Sequence, residues 1–103
     1  MYKAIILYPY KEGEEFNFDY YCNNHMPMVQ ARLGDACTGI GVDAGIGGGG
    51  PDEPPAYAAI GYILTDDLEK FSAAVAQNDE EFRNDMPNYY SVPPIIQINA
   101  VKL

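Results

Sequence analysis

The residue types best suited to chemistry lie in residues 18–29, where the only histidine of the chain, His25, stands among tyrosine, asparagine and methionine. An imidazole titrates close to neutral pH, so it can both accept and donate a proton. At helical period His25 shares a face with Phe18, Tyr21 and Val29, and we expect it to point inward. Two hypotheses follow: His25 is a general acid or base in a pocket, or it is a hydrogen-bonded residue of the core.

Pro27 is expected to interrupt this helix. It removes the N–H that would bond the Asn23 carbonyl and pushes Met26 away from helical angles, so we expect a kink or a restart there. The same period places Cys22 on the inward face and Met26 on the outward face. A helix C-terminus near His25 would favour its cation while burial opposes it, which predicts a pKa near neutrality.

Composition and charge exclude several classes of partner. Six Lys and Arg residues against 15 Asp and Glu residues give a net charge of −9, and no basic cluster stands out. We therefore expect neither nucleic acid nor an anionic membrane surface as a partner. No apolar run approaches the roughly 20 residues that a membrane span needs, and the first residues show no secretory signal. These features predict a cytoplasmic protein.

No metal and no cofactor are expected. With one histidine and no closely spaced cysteine pair, the sequence lacks a recognisable set of metal ligands, and Cys22 and Cys37 are predicted to be buried free thiols. Gly45, Gly47 and Gly50 match GxGxxG, but prolines and acidic residues follow instead of a helix. Residues 45–55 are therefore predicted to be a flexible hairpin connection, with a mobile flap over a pocket as the alternative.

The remaining sequence predicts alternating strands and helices in one domain, residues 1–103. The strands are expected at residues 2–10, 38–44, 57–64 and 95–101. Asn17 is the predicted N-cap of the first helix and Gly34 its end, while Asp66 and Glu69 form a capping box before the second helix. The order β-α-β-β-α-β is that of the ferredoxin-like fold, an α+β class with a four-stranded antiparallel sheet.

The first strand is apolar on both faces, with Ile5 and Leu7 on one side and Ile6 and Tyr8 on the other. Since one small chain can cover only one face with helices, we expect the other face to meet a second subunit. In the last strand Gln97 and Asn99 share a face, which either meets solvent or lines a polar cavity.

Three stretches of the sequence form a recognisable pattern: Phe18-x-x-Tyr21-x-x-x-His25-Met-Pro27, Asp85-Met-Pro87-Asn-Tyr and Ile96-Gln97-Ile98. With this pattern the chain resembles the EthD family of the dimeric α+β barrel superfamily over nearly its whole length. The resemblance implies a homodimer whose two sheets face each other in a barrel, with a cavity between each sheet and its helices. It also implies small apolar or aromatic ligands, phenolic or ketide-like, and no shared cofactor.

Competing functions remain open. In the first, the protein is a cofactor-free lyase, isomerase or oxygenase with His25 as the general acid or base. The candidate substrate-binding residues are Tyr8, Tyr21, Asn24, Tyr62 and Asn99. If alternation along the strands turns Tyr8 and Asn99 to the same side of the sheet, the two residues line one cavity. Ala59 and Gly61 either leave room for a ligand or let a helix pack closely.

In the second function, the protein binds a small ligand or assists a degradation or biosynthetic pathway without chemistry of its own, since no nucleophile and base pair is recognisable. In a third, the dimer is purely structural. No Asp or Glu lies at helical spacing from His25, so a group that orients the imidazole must come from elsewhere in the fold.

Overall fold

A computed structural model describes all 103 residues and has the predicted order of strands and helices. The elements are β1 (Tyr2–Pro9), α1 (Phe18–Tyr20), a π-helical turn (Tyr21–His25), α2 (Met26–Leu33), β2 (Gly39–Ala44), β3 (Tyr57–Thr65), α3 (Leu68–Asp85) and β4 (Ile95–Ala100). The strands form one antiparallel sheet in the order β2-β3-β1-β4. The predicted ferredoxin-like α+β fold is therefore confirmed.

The helical segment is irregular just before Pro27, as expected, but the prediction that Pro27 pushes Met26 away from helical angles is wrong, because Met26 has φ −64° and ψ −40°. Pro27 lies in the first turn of α2, and the residues before it form a π-helical turn in which the Met26 N–H bonds the Tyr21 carbonyl. A π-helical turn holds one residue more than an α-turn, so it changes which side chains face inward. Met26 is therefore buried and Cys22 exposed, the reverse of the prediction for both residues.

Both ends of this helical segment agree with the sequence. The Asn17 side chain accepts a hydrogen bond from the Tyr20 N–H at 3.0 Å, which satisfies a backbone donor that the first turn leaves free. Gly34 ends α2 with φ 55°, a backbone conformation that costs little without a Cβ atom.

The N-cap of α3 is Asp67, one residue later than predicted. The Asp67 side chain accepts a hydrogen bond from the Lys70 N–H at 3.1 Å, so Asp66 and Glu69 do not form a capping box. The shift follows from Thr65, whose hydroxyl binds both the N–H and the carbonyl of Asp67 at 3.2 Å. These bonds hold Asp67 at the start of the helix.

The two faces of the sheet differ in how they are covered. The helices pack on the face that carries Ala4, Tyr8, Ala59 and Ile63, each at most 4% exposed. The opposite face carries half-buried apolar side chains, namely Ile5, Leu7, Ile60, Tyr62 and Leu64. The central strands are thus apolar on both faces, as predicted, while helices cover only one.

Residues 45–55 connect β2 to β3, as predicted for a hairpin. Glu53 closes the loop, since its side chain accepts a hydrogen bond from the Gly50 N–H at 2.9 Å and its carbonyl accepts one from the Gly48 N–H at 2.8 Å. The loop leads into a strand and opens no helix. None of the helices combines the length and the hydropathy that a membrane span requires.

Candidate active site

His25 lies in the π-helical turn and points into the protein, as predicted, with 5% of its surface exposed. Its Nδ1 lies 2.8 Å from Oδ2 of Asp85, the last residue of α3. The pair connects the two helical segments that cover the sheet. Asp85 is therefore the orienting carboxylate that helical spacing around His25 does not supply.

Asp85 is itself held by further donors. The Tyr20 hydroxyl donates to Oδ1 at 2.6 Å, and the Asn88 side-chain amide donates to the same oxygen at 3.0 Å. With Oδ2 bound to His25, both carboxylate oxygens have partners, which fixes the rotamer of the carboxylate. Sequence reasoning missed Asp85, although His25 and Asp85 each stand directly before a Met-Pro pair.

The protonation states of the pair follow from burial and hydrogen bonding. Burial lowers the pKa of His25 below its ordinary value, and the hydrogen bond and charge of Asp85 offset only part of this. Partial burial raises the pKa of Asp85, but the hydrogen bonds from Tyr20, His25 and Asn88 outweigh it and hold that pKa below its usual range. At neutral pH the imidazole is therefore neutral, donates its Nδ1 proton to the carboxylate and keeps a lone pair on Nε2.

The predicted environment of His25 is wrong in one respect. The helix does not end near it, because α2 continues from Met26 to Leu33. What favours the imidazolium is the Asp85 carboxylate, not a helix C-terminus, and burial outweighs it.

The Nε2 side of His25 faces two buried tyrosines. The Tyr89 hydroxyl lies 3.5 Å from Nε2 and 2.8 Å from the Tyr8 hydroxyl. Tyr8 is 1% exposed and Tyr89 2% exposed. Burial raises the pKa of both hydroxyls, so they stay protonated and able to donate. Asp85, His25, Tyr89 and Tyr8 thus form one hydrogen-bonded series, of which sequence reasoning identified His25 and Tyr8.

Tyr21 lies beside this series without joining it. Its ring stacks on His25 with ring centroids 5.4 Å apart and an angle of 13° between the planes. Its hydroxyl is buried and has no hydrogen-bond partner. It occupies the space over Gly61, where an added Cβ atom would lie 2.1 Å from the hydroxyl oxygen. Of the two roles considered for Gly61, the structure shows close packing.

Asn24 lies on the outer side of the helical layer, away from Tyr8 and Tyr89. It lines an open groove of about 670 Å³ that also exposes part of Asp85 and Tyr20. The other walls are mainly amide and carboxylate side chains of α3, and His25 is not among them. Despite these carboxylates, nowhere in the chain are three His, Cys, Asp or Glu side chains grouped to hold a metal ion.

Tyr62 and Asn99 lie on the face of the sheet that the helices leave open. Asn99 pairs with Lys3 across the strands, and the Lys3 ammonium lies 5.0 Å from the centre of the Tyr62 ring. Tyr8 lies five residues further along β1, so it points to the opposite face. The prediction that Tyr8 and Asn99 line one cavity is therefore wrong.

The stability of the protein is expected to fall as the pH is lowered through 6.5. Unfolded His25 has its usual pKa of 6.5, whereas burial lowers the folded-state pKa, so the unfolded state takes up the proton first. The loss of stability starts near pH 6.5 and is complete once the pH lies below the folded-state pKa of His25. Urea unfolding at a series of pH values from about 8 to about 5 measures it. The His25→Gln variant should lack this step, and an equal slope in both proteins would contradict the assignment.

Comparison with known proteins identifies the family of this chain. A family model described as the EthD domain matches residues 11–92, a segment that contains His25, Asp85 and Tyr89. No curated protein matches the chain.

Several solved structures are similar to this one. An EthD-like protein from Ralstonia eutropha JMP134 shares 40% identity over 99% of this chain and 92% of its own, with a TM-score of 0.95. An EthD family protein from Bacillus halodurans C-125 shares 20% identity over 99% of both chains, with a TM-score of 0.71. HapK from Hahella chejuensis shares 12% identity over 99% of this chain and 93% of its own, with a TM-score of 0.63. At these low identities the last two indicate a common fold alone.

Proposed function

We propose, since this chain belongs to the EthD family, that it binds a small phenolic or ketide-like molecule and transforms it by cofactor-independent acid/base chemistry. His25 is the proposed general base and acid. The observation that carries the proposal is the hydrogen bond of 2.8 Å between His25 and Asp85, because it fixes the imidazole and leaves the unprotonated Nε2 as the atom that can take up a proton.

The geometry supplies the parts that such chemistry needs. A proton taken up at Nε2 produces an imidazolium, which the adjacent Asp85 carboxylate stabilises. The Tyr8 and Tyr21 hydroxyls lie on the same side of the sheet as His25, and we propose that they bind the ligand oxygen. Asn24 would contact a ligand only from the outer groove, on the Asp85 side of the pair.

The proposed assembly is a homodimer in which two sheets meet through their open faces. Support comes from the half-buried apolar side chains on that face, a pattern that marks interaction surfaces. In such a dimer Tyr62 and Asn99 would lie between the two sheets, so their proposed ligand would bind there and not beside His25. The ligand-binding roles of these two residues therefore depend on the dimer.

Sedimentation equilibrium tests the assembly. We expect the wild-type protein to have the mass of a dimer and Ile5→Lys to shift it towards the monomer, because a charge would be buried among apolar side chains. Ile46→Lys is the matched control, since Ile46 is 97% exposed in the loop after β2. A wild-type monomer, or equal dissociation by both substitutions, would speak against this interface.

The function is tested by NMR titration of His25, whose signal is unambiguous because the chain has one histidine. We expect phenol, catechol or acetylacetone to shift the His25 resonance and its pKa in the wild-type protein. His25→Gln should still fold, while any conversion of these compounds that the wild-type protein catalyses should be lost. Conversion at the wild-type rate by His25→Gln would refute the role of His25.

A second candidate function is ligand binding without chemistry. It is favoured by the burial of His25, Tyr8 and Tyr89, each at most 5% exposed, and by the fact that the groove beside Asp85 does not include the imidazole. In that case a compound would shift the His25 resonance and be recovered unchanged.

A further inference from the structure

The hydrogen-bonded series around His25 has a fixed direction. Because the neutral imidazole donates from Nδ1 to Asp85, Nε2 can only accept, so the Tyr89 hydroxyl must donate to it. The Tyr89 oxygen is then left to accept from the Tyr8 hydroxyl at 2.8 Å. Every proton in the series therefore points from Tyr8 towards Asp85.

We propose that Tyr89 is a positioning residue that joins His25 to Tyr8 in one proton relay. The proposal rests on the proposed acid/base role of His25 and adds that Tyr8, not the imidazole, is the group that exchanges a proton with the ligand. No hydrogen bond joins Tyr8 directly to His25; the Tyr89 hydroxyl is hydrogen-bonded to both. The three side chains are buried, which strengthens each hydrogen bond by excluding water.

The relay step balances without an oxidant or a reductant. An acidic proton of the ligand, on oxygen or on carbon next to a carbonyl, passes to the Tyr8 oxygen. The former Tyr8 proton passes to the Tyr89 oxygen, and the former Tyr89 proton passes to Nε2 of His25. One bond to hydrogen breaks in the ligand and one N–H bond forms, leaving a ligand anion and an imidazolium beside the Asp85 carboxylate.

The sequence offers a matched control in the neighbouring tyrosine. Tyr90 is buried next to Tyr89, and its ring lies 6.1 Å from that of Tyr8. Its hydroxyl, however, donates to the Pro9 carbonyl at 2.7 Å and takes no part in the series. Tyr90→Phe thus removes a hydroxyl from the same aromatic cluster without touching the relay.

The test is the ¹⁵N NMR signal of His25 Nε2 in the ligand-free protein. Tyr89→Phe should move this signal towards that of a nitrogen without a hydrogen bond, since Nε2 loses its donor. Tyr8→Phe should move it in the same direction but less, because a hydroxyl that no longer accepts from Tyr8 is a weaker donor. In the double variant Tyr8→Phe with Tyr89→Phe, the Tyr8 substitution should add nothing. Tyr90→Phe should leave the signal unchanged.

Two results would overturn the relay: an unchanged Nε2 signal in Tyr89→Phe, or additive effects of the two substitutions in the double variant. If Tyr89→Phe alone does not fold, because Tyr8 loses its acceptor, the Tyr8→Phe variant decides the question, and an unchanged signal there refutes the proposal. The measurement needs no ligand. A failed relay would leave both the ligand-induced shift of the wild-type His25 and any conversion of the ligand intact. A failure of the proposed function would remove the conversion, and the shift as well if the compound does not bind.

Discussion

Gly61→Ala is expected to destabilise the protein by about 1–3 kcal/mol, the usual cost of forcing extra volume into a packed core. A glycine within a strand is normally a weak point, and alanine there would stabilise by about 0.4–1 kcal/mol through the unfolded state. Here the sign reverses, because the new Cβ atom would lie 2.1 Å from the Tyr21 hydroxyl oxygen. Urea unfolding of both proteins measures the difference.

The Tyr21→Phe variant separates this clash from other effects of the alanine. Phenylalanine lacks the oxygen that the Cβ atom would meet, and the next ring atom would be 3.1 Å away. Removing a buried hydroxyl without a hydrogen-bond partner should also be neutral or stabilising by about 1 kcal/mol. In the Tyr21→Phe background Gly61→Ala should therefore cost much less. An equal cost in both backgrounds would show that the hydroxyl is not the obstacle.

Asp85→Asn is expected to lower the pKa of His25 further below its ordinary value. The carboxylate provides the hydrogen bond and the negative charge that now offset part of the effect of burial. Asparagine keeps the size of the side chain and removes the charge. The NMR titration of His25 measures the change directly.

Asp85→Ala should also destabilise the fold by about 1–3 kcal/mol, because Tyr20, His25 and Asn88 would lose their common acceptor. Asp79→Asn on the same helix is the control. It breaks only an exposed ion pair of 2.9 Å with Arg83, of a kind that contributes about 0.3–0.5 kcal/mol. Asp79→Asn is also the control for the titration of His25. If it lowered the pKa of His25 as much as Asp85→Asn does, the charge of Asp85 would not be what offsets the effect of burial on that pKa.

Local patterns in the sequence were sufficient for the fold. Alternating apolar residues located the strands, and Asn17 and Gly34 marked the ends of the first helical segment, because caps depend on neighbours within a few residues. The same local reasoning failed by one residue at Asp66. Two adjacent aspartates can both serve as a cap, and the Thr65 hydroxyl selects Asp67.

The candidate site could be predicted only in part, since its hydrogen bonds connect distant residues. His25 stands out in the sequence as the only histidine, but Asp85 lies 60 positions away and Tyr89 64 positions away. Helical spacing carries no information about such partners. The prediction for Tyr62 rests on residue type and that for Asn99 also on an assumed strand parity, whereas the strand register of the structure places both on the other face of the sheet.

Because of the π-helical turn, the inward-facing positions of α1 and α2 do not follow one continuous helical period. Since each residue of an α-helix advances by about 100°, the extra residue of the turn rotates α2 relative to α1 by roughly that angle. Deleting one residue between Tyr21 and His25 would give both segments the same helical period. The imidazole would then turn away from Asp85, even if the chain remained fully helical. The Tyr-x-x-x-His spacing therefore specifies more than the separation of two side chains. It also sets the rotation of α2 about the helix axis relative to α1.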